Sequence, residues 1–313
     1  MYPIKLKPIL KQHIWGGAAL LDIKKGQRLR IDKTKVYGES WDVSGINGDI
    51  SVISNGFLKG NNLLEAIEVY MGELVGDEIF AQYGLEFPLL LKTLHCKDRT
   101  SVQVHPDDNL AAERHQSCGK TEMWYVIDAE PEAMLYIGFK DPKISREQYI
   151  DAVAKGTIAE IIKPVSVKSG DVFLIPSGTV HSISGGVTLV EIQQPVDLTY
   201  RIFDWNRVDN NGNSRELHTA YAVDAIDFSS TAAQSRRDYK VVANKPVEIA
   251  TCDYFTCNIL KSEGGTVRDL SNIDSFVLYY CTSGSVEITN DEGTETLHTG
   301  EVVIISADTN ELT

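Results

Sequence analysis

No apolar run in this chain is long enough to cross a membrane. Runs such as Phe87–Leu91, which is broken by Pro88 and ends at Lys92, fall far short of the roughly 20 residues a spanning helix needs. The opening stretch, MYPIKLKPILKQHIWGG, contains no apolar segment of the kind a secretory leader carries. Cysteine is scarce and irregular. There are five (Cys96, Cys118, Cys252, Cys257 and Cys281), an odd number with no CxxC. That excludes a thiolate-clamped structural zinc site or a thioredoxin-like motif and fits reduced thiols in a cytoplasmic protein; Cys252 and Cys257 are the one pair that invites a redox reading. Positive charge is also in short supply, with 30 basic against 44 acidic side chains and a formal charge of -14. Such a surface repels nucleic acid and anionic membranes. An anionic small substrate therefore requires a local basic pocket inside an acidic whole.

What is present is mostly β. A length of 313 residues suits about two domains. ESWDVSG and DISVIS read as short strands between turns. FPLLLKTL, SVQVH, EMWYVID, AMLYIGF, DVFLIP, HSISGG and TLVEIQ follow as β-rich runs joined by Gly, Pro, Asp and Ser, the pattern of a sandwich or barrel. Helical spacing occurs in two places. NNLLEAIEVYMGELVGDEIFAQYG (61–84) predicts two short helices broken near Gly76, with Asn61 or Asn62 as N-cap. SREQYIDAVAKGTIAEII begins at Ser145, with Gln148 as capping-box partner. A polar stretch around 225–240 marks a linker, so we expect one unit over 1–235 and a second all-β unit over 236–313. The two units share a partial repeat. KSGDVFLIPSGTVH (168–181) and HTGEVVIISADTNE (298–311) both read Gly-acid-Val followed by apolar residues, but Glu311 stands where the first copy has His181.

Side-chain alternation on a strand puts Ser101, Gln103 and His105 on one face. Three polar residues on one side of a β run, followed by Pro106-Asp107-Asp108, suggest a lined polar cavity; the alternative is a solvated sheet face. Lys120 and Glu122 share a face at the start of an apolar strand. In GDVFLIPSGTVH the spacing Gly-x5-Pro-x-Gly-x2-His delivers His181 at the head of the next strand. Gln103, His105, Glu122 and His181 together offer two imidazoles, a carboxylate and an amide oxygen, a donor set suited to zinc or ferrous iron with a position left open. In LVEIQQPVDLTYRIFDWNR, Glu191 and Arg201 have one parity. Either they reach the same cavity, as proton carrier and oxyanion binder, or Arg201 is tied to Asp197. Trp15, Trp41 and Trp124 are candidate walls of a sugar pocket or members of the core.

IWGG, QVHPDD, GKTEMWYVIDA, GDVFLIPSGTVHSI, EIQQPVDLTYRIFDW and SRELH, in that order, resemble the type I mannose-6-phosphate isomerase family in its shorter bacterial form. The similarity is strong over about residues 1–225 and loose beyond. It implies a mainly β, cupin (jelly-roll) barrel with a small helical segment and a second, degenerate cupin-like β unit. It also implies one zinc per chain on Gln103, His105, Glu122 and His181, substrate contacts from Ser101, Lys120 and Trp15, and catalytic positions at Arg201, Glu191 and Lys120. The implied reaction is the interconversion of mannose 6-phosphate and fructose 6-phosphate through a cis-enediol(ate), with Glu191 or a metal-activated water moving the proton. The competing expectations are a sugar-binding or regulatory cupin that keeps its metal without catalysis, a ferrous dioxygenase, and an isomerase acting on a different phosphorylated or free sugar. The sequence sets no oligomeric state.

Overall fold

The computed structural model describes every residue except Arg28, Arg30, Asn210 and Ser230–Gln234. Those last five fall inside the expected 225–240 linker, so that part of the linker lies outside the described residues.

Two antiparallel sheets carry the molecule. The larger has seven strands in the order Arg236–Arg237, Val172–Ile175, Glu122–Ala129, Val187–Gln193, Leu90–Cys96, Tyr37–Val43 and Ile9–Gln12. The second has five: Tyr200–Phe203, Val102–Val104, His181–Ile183, Met134–Phe139 and Ile162–Ser166. The central strands of the large sheet are buried along nearly their whole length, because both faces are covered. Facing side chains of the two sheets form one apolar cluster, including Trp124, Phe173 and Leu189 from the first sheet and Leu135, Ile137 and Ile183 from the second. The outer face of the large sheet (Val43, Leu91, Met123, Leu174, Val190) packs against the helix Leu63–Val75 and against Ile249, Phe255, Phe276 and Ile304 of the C-terminal region. The outer face of the small sheet is covered by the helices Arg146–Ala154 and Thr219–Ala225.

Local signals account for the helices. Asn62 caps the first through its side chain, and Glu65 returns the bond; the chain breaks at Gly76, whose φ of 103° is open to glycine without steric cost. Ser145 and Gln148 form the expected reciprocal box. The repeat is visible as geometry. Gly170 and Gly300 both turn the chain at φ 84° into four-residue, fully buried strands, Val172–Ile175 and Val302–Ile305. Beyond them the copies diverge, since Glu311 is exposed on a two-residue strand whereas His181 is buried.

The N- and C-terminal regions are joined. Ile4–Lys7 lies in a four-stranded sheet between Val302–Ile305 and Val52–Ile53. Lys24, on the short helical turn after IWGG, is fully buried against Asp42 at 2.7 Å and donates to the Gly300 carbonyl at 2.6 Å. All five cysteines are free thiols, Cys252 and Cys257 included. Among the described residues no helix is long and apolar enough to cross a membrane.

Candidate metal centre and its surroundings

Cross-strand register brings the predicted residues together. His181 lies opposite Gln103, and Gln103 opposite Arg201; directly opposed residues point to the same side of a sheet. On the facing sheet Gln193 lies opposite Glu122, and Glu191 is flanked by Trp124 and Lys92. Between the sheets, His105 Nε2 is 3.5 Å from Glu122 Oε2, and His181 Nε2 is 3.3 Å from Glu122 Oε1. Ligand atoms of His105, Glu122 and His181 all lie within 4.8 Å of one another.

Each imidazole is oriented by its other nitrogen. His105 Nδ1 donates to the Leu198 carbonyl at 2.9 Å and His181 Nδ1 to the Thr179 carbonyl at 2.8 Å. A carbonyl only accepts, so the proton sits on Nδ1 and the Nε2 lone pair faces Glu122. Burial pushes His181 down to about 4, and burial with the neighbouring Lys120 holds His105 well below the usual histidine range; both rings are neutral at physiological pH. Burial, then the Glu191 carboxylate, pushes Glu122 up to about 8. His105 Nε2 and both oxygens of Glu122 are buried without a hydrogen-bond partner. An unsatisfied buried polar group costs about 1–3 kcal/mol, and three of them pointing at one another is the arrangement a divalent cation relieves. The residues fit a metal.

Gln103 is at this group but presents nitrogen. Its Nε2 lies 3.1 Å from His181 Nε2, while its Oε1 accepts from Ser101 Oγ at 3.4 Å; an amide turned by 180° exchanges the two. Lys120 Nζ sits 3.6 Å from Glu122 Oε2. Glu191 is buried, its Oε1 2.7 Å from Lys92 Nζ and its Oε2 accepting from Trp124 Nε1 at 3.0 Å. Burial alone would raise Glu191; Lys92, then Lys120, hold it below the ordinary carboxylate range. Lys92 in turn lies 3.9 Å from Glu39, which also accepts from Trp41 Nε1 at 2.7 Å and faces His13 at 3.4 Å. Burial opposes the charge on Lys92, but Glu191 and Glu39 raise it above its usual range.

Arg201 is not paired with Asp197. Its Nη1 donates to the Glu216 carbonyl at 2.7 Å, and its buried Nε has no partner. It stands in a basic cluster that sequence reading missed. Arg207 and Arg215 both reach Asp204 at 2.5 Å, and Arg207 also donates to the Arg99 carbonyl. Burial, then repulsion from Arg215, lowers the Arg201 guanidinium from its normal range. Trp15 is packed in the apolar cluster between the sheets and stacked on His13, with ring centroids 4.6 Å apart. Lys92 and Glu39 also escaped notice in the sequence; the available signal was a single charge inside FPLLLKTL.

Comparison with known proteins places this geometry. The Phosphomannose isomerase type I catalytic-domain profile matches residues 4–140. Mannose-6-phosphate isomerase ManA of Bacillus subtilis (strain 168) is 35% identical over 259 residues, 81% of this chain and 78% of that protein. The chain belongs to the type I mannose-6-phosphate isomerase family. The family's mannose-6-phosphate isomerase from Streptococcus mutans is 36% identical over 230 residues, 74% of this chain and 69% of its own length. The crystal structure of the mannose 6-phosphate isomerase from Bacillus subtilis superposes over 100% of this chain and 96% of that one, with a TM-score of 0.83 at 30% identity. The expected mainly β cupin fold of the family is what the chain adopts.

Proposed function

We propose that this protein is a metal-dependent mannose-6-phosphate isomerase, interconverting mannose 6-phosphate and fructose 6-phosphate in the cytoplasm. The observation that carries the proposal is the buried His105–Glu122–His181 group with its unpartnered donor atoms, set between Glu191 on one side and Arg201 on the other. Two neutral imidazoles and a carboxylate, without thiolate, favour zinc as the ion, with Gln103 completing the set. When bound, a divalent cation supplies Lewis-acid stabilisation of the negative charge that develops on the sugar oxygens.

The chain's own residues do the rest. Isomerisation lifts a proton from the carbon beside the carbonyl and returns it to the neighbouring carbon. Glu191, kept ionised by Lys92 and fixed by Trp124, is the proton carrier. Arg201 meets the enediolate charge with a guanidinium already desolvated. Lys120 and Ser101 hold sugar hydroxyls, and Arg207 and Arg215 provide the field that draws in the phosphate. Trp15 supports the wall of the cavity from behind. Residues 1–235 carry the chemistry in this reading, and 236–313 buttress it. A purified, zinc-loaded sample is expected to convert mannose 6-phosphate in an assay coupled to fructose 6-phosphate oxidation or phosphorylation. Stoichiometric metal with no turnover would leave a binding protein instead.

A further inference from the structure

The C-terminal β unit has no metal set, yet one of its side chains reaches Asp108, which in turn braces the segment that delivers Lys120 and Glu122. The hairpin of strands Val247–Thr251 and Thr256–Ile259 is anchored by Ile249, Ala250, Phe255 and Cys257 in the apolar layer that also contains Met123 and Leu174. It therefore packs on the outer face of the large sheet against the strand Val172–Ile175, the neighbour of the strand that carries Glu122. From its turn, Tyr254 donates its hydroxyl to Asp108 Oδ2 at 2.6 Å. The other oxygen of Asp108 accepts from the Gly119 backbone N–H at 2.7 Å and from Gln194 Nε2 at 2.9 Å. Thus held, Gln194 turns its Oε1 to the Thr121 N–H at 2.9 Å. Gly119 and Thr121 are the residues on either side of Lys120, and Glu122 comes next.

The contact is tight. A Cβ on Gly119 would meet the backbone of Asp107 and Asp108 at 2.7 Å, so this loop can approach the helix Asp108–His115 only as glycine. Lys120 itself adds a backbone bond to the Pro106 carbonyl at 3.2 Å. The loop is consequently located by Asp108, and Asp108 is located from outside the catalytic unit by Tyr254.

We propose that Tyr254 is a positioning residue for the isomerase reaction: through Asp108 and Gln194 it sets the Gly119–Glu122 segment, so that the C-terminal unit takes part in aligning the site. The proposal rests on the functional reading above. The hydroxyl touches no ligand atom, and its effect is on alignment, to which rates are steep; a misplacement near 1 Å can cost about 100-fold.

The test is Tyr254→Phe in the full-length, zinc-loaded protein, which deletes the hydroxyl and keeps the ring. The expected result is a fall in kcat of about tenfold, from a displacement smaller than 1 Å, with KM nearly unchanged. Competition against a chromophoric chelator should show weaker metal retention. Asp108→Asn should reproduce both effects, and the double variant should be little worse than either single one, because both break one chain of contacts. Wild-type kcat and wild-type metal retention in Tyr254→Phe would overturn the proposal, as would a lowered melting temperature with unaltered kinetics. An inactive wild-type protein would instead sink the functional reading, while the chelator measurement would still report on Tyr254.

Discussion

Replacing Lys92 by methionine tests the electrostatic core of the site. Lys92 Nζ is 2.7 Å from Glu191 and 3.9 Å from Glu39, and the three side chains are 5%, 4% and 12% exposed. Methionine keeps the length of the stem and removes the cation, leaving two carboxylates in a region with almost no water. Breaking a buried pair from one side costs about 3–5 kcal/mol. With a urea slope near 3 kcal/mol/M, the denaturation midpoint should fall by about 1–1.7 M. Glu191→Gln in the same chain removes the stranded charge and should restore most of that loss. The pH dependence has a definite sign. In the wild type the folded-state pKa of Glu191 is depressed, so its stabilising contribution is present above the ordinary carboxylate range and lost as pH falls through the lowered value. Without Lys92, burial prevails and raises that pKa, so the variant loses stability as pH rises; its deficit against wild type is smallest in acid and grows toward neutrality. The acid limb of kcat/KM should move to higher pH for the same reason. A midpoint within about 0.3 M of wild type, which at that slope is under about 1 kcal/mol, would refute the reasoning. So would a double variant no more stable than the single one.

His181→Ala should lose bound metal and turnover together while circular dichroism stays β-like, which elemental analysis of the purified variant will check. Metal binding to metal-free protein near pH 7 should release close to one proton, since Glu122 is pushed up to about 8 and both imidazoles are already neutral; calorimetry in buffers of different ionisation enthalpy counts it. For the same group, the metal-free fold should lose stability as pH rises through about 8, its contribution being complete only below the unfolded carboxyl value. Arg201→Ala should retain zinc and lower kcat sharply; a change confined to KM would reassign Arg201 to uniform substrate binding.

The grouping of His105, Glu122 and His181 was legible in the sequence where it is carried by alternation and turn spacing. Ser101, Gln103 and His105 follow from period two, and His181 from Gly170, Pro176 and Gly178. The cap at Ser145 is local and was equally plain, and the other was narrowed to Asn61 or Asn62, of which Asn62 is the cap. Partners set by tertiary pairing were not. Lys92 resembles an interruption in an apolar run until strand register puts it beside Glu191, and Arg207 and Arg215 gain meaning only when both reach Asp204. The orientation of the Gln103 amide, with nitrogen toward His181, is likewise a property of packing that residue order does not encode. Trp15 stood in a motif that looked like a substrate wall, but the glycine at 16, where a Cβ would collide with the Tyr37 carbonyl at 2.2 Å, folds that segment onto the neighbouring strand and turns the indole inward.

The strand Ile4–Lys7 has a consequence for synthesis. One of its hydrogen-bonding edges is completed by Val302–Ile305, which lies far downstream in the sequence. A nascent chain therefore carries Ile4–Lys7 half-paired until Val302–Ile305 has been made, and contacts so distant in sequence form slowly. Loss of residues 302–313 would uncover that edge and offer it to other chains, so products lacking them should aggregate even though His105, Glu122 and His181 lie far upstream.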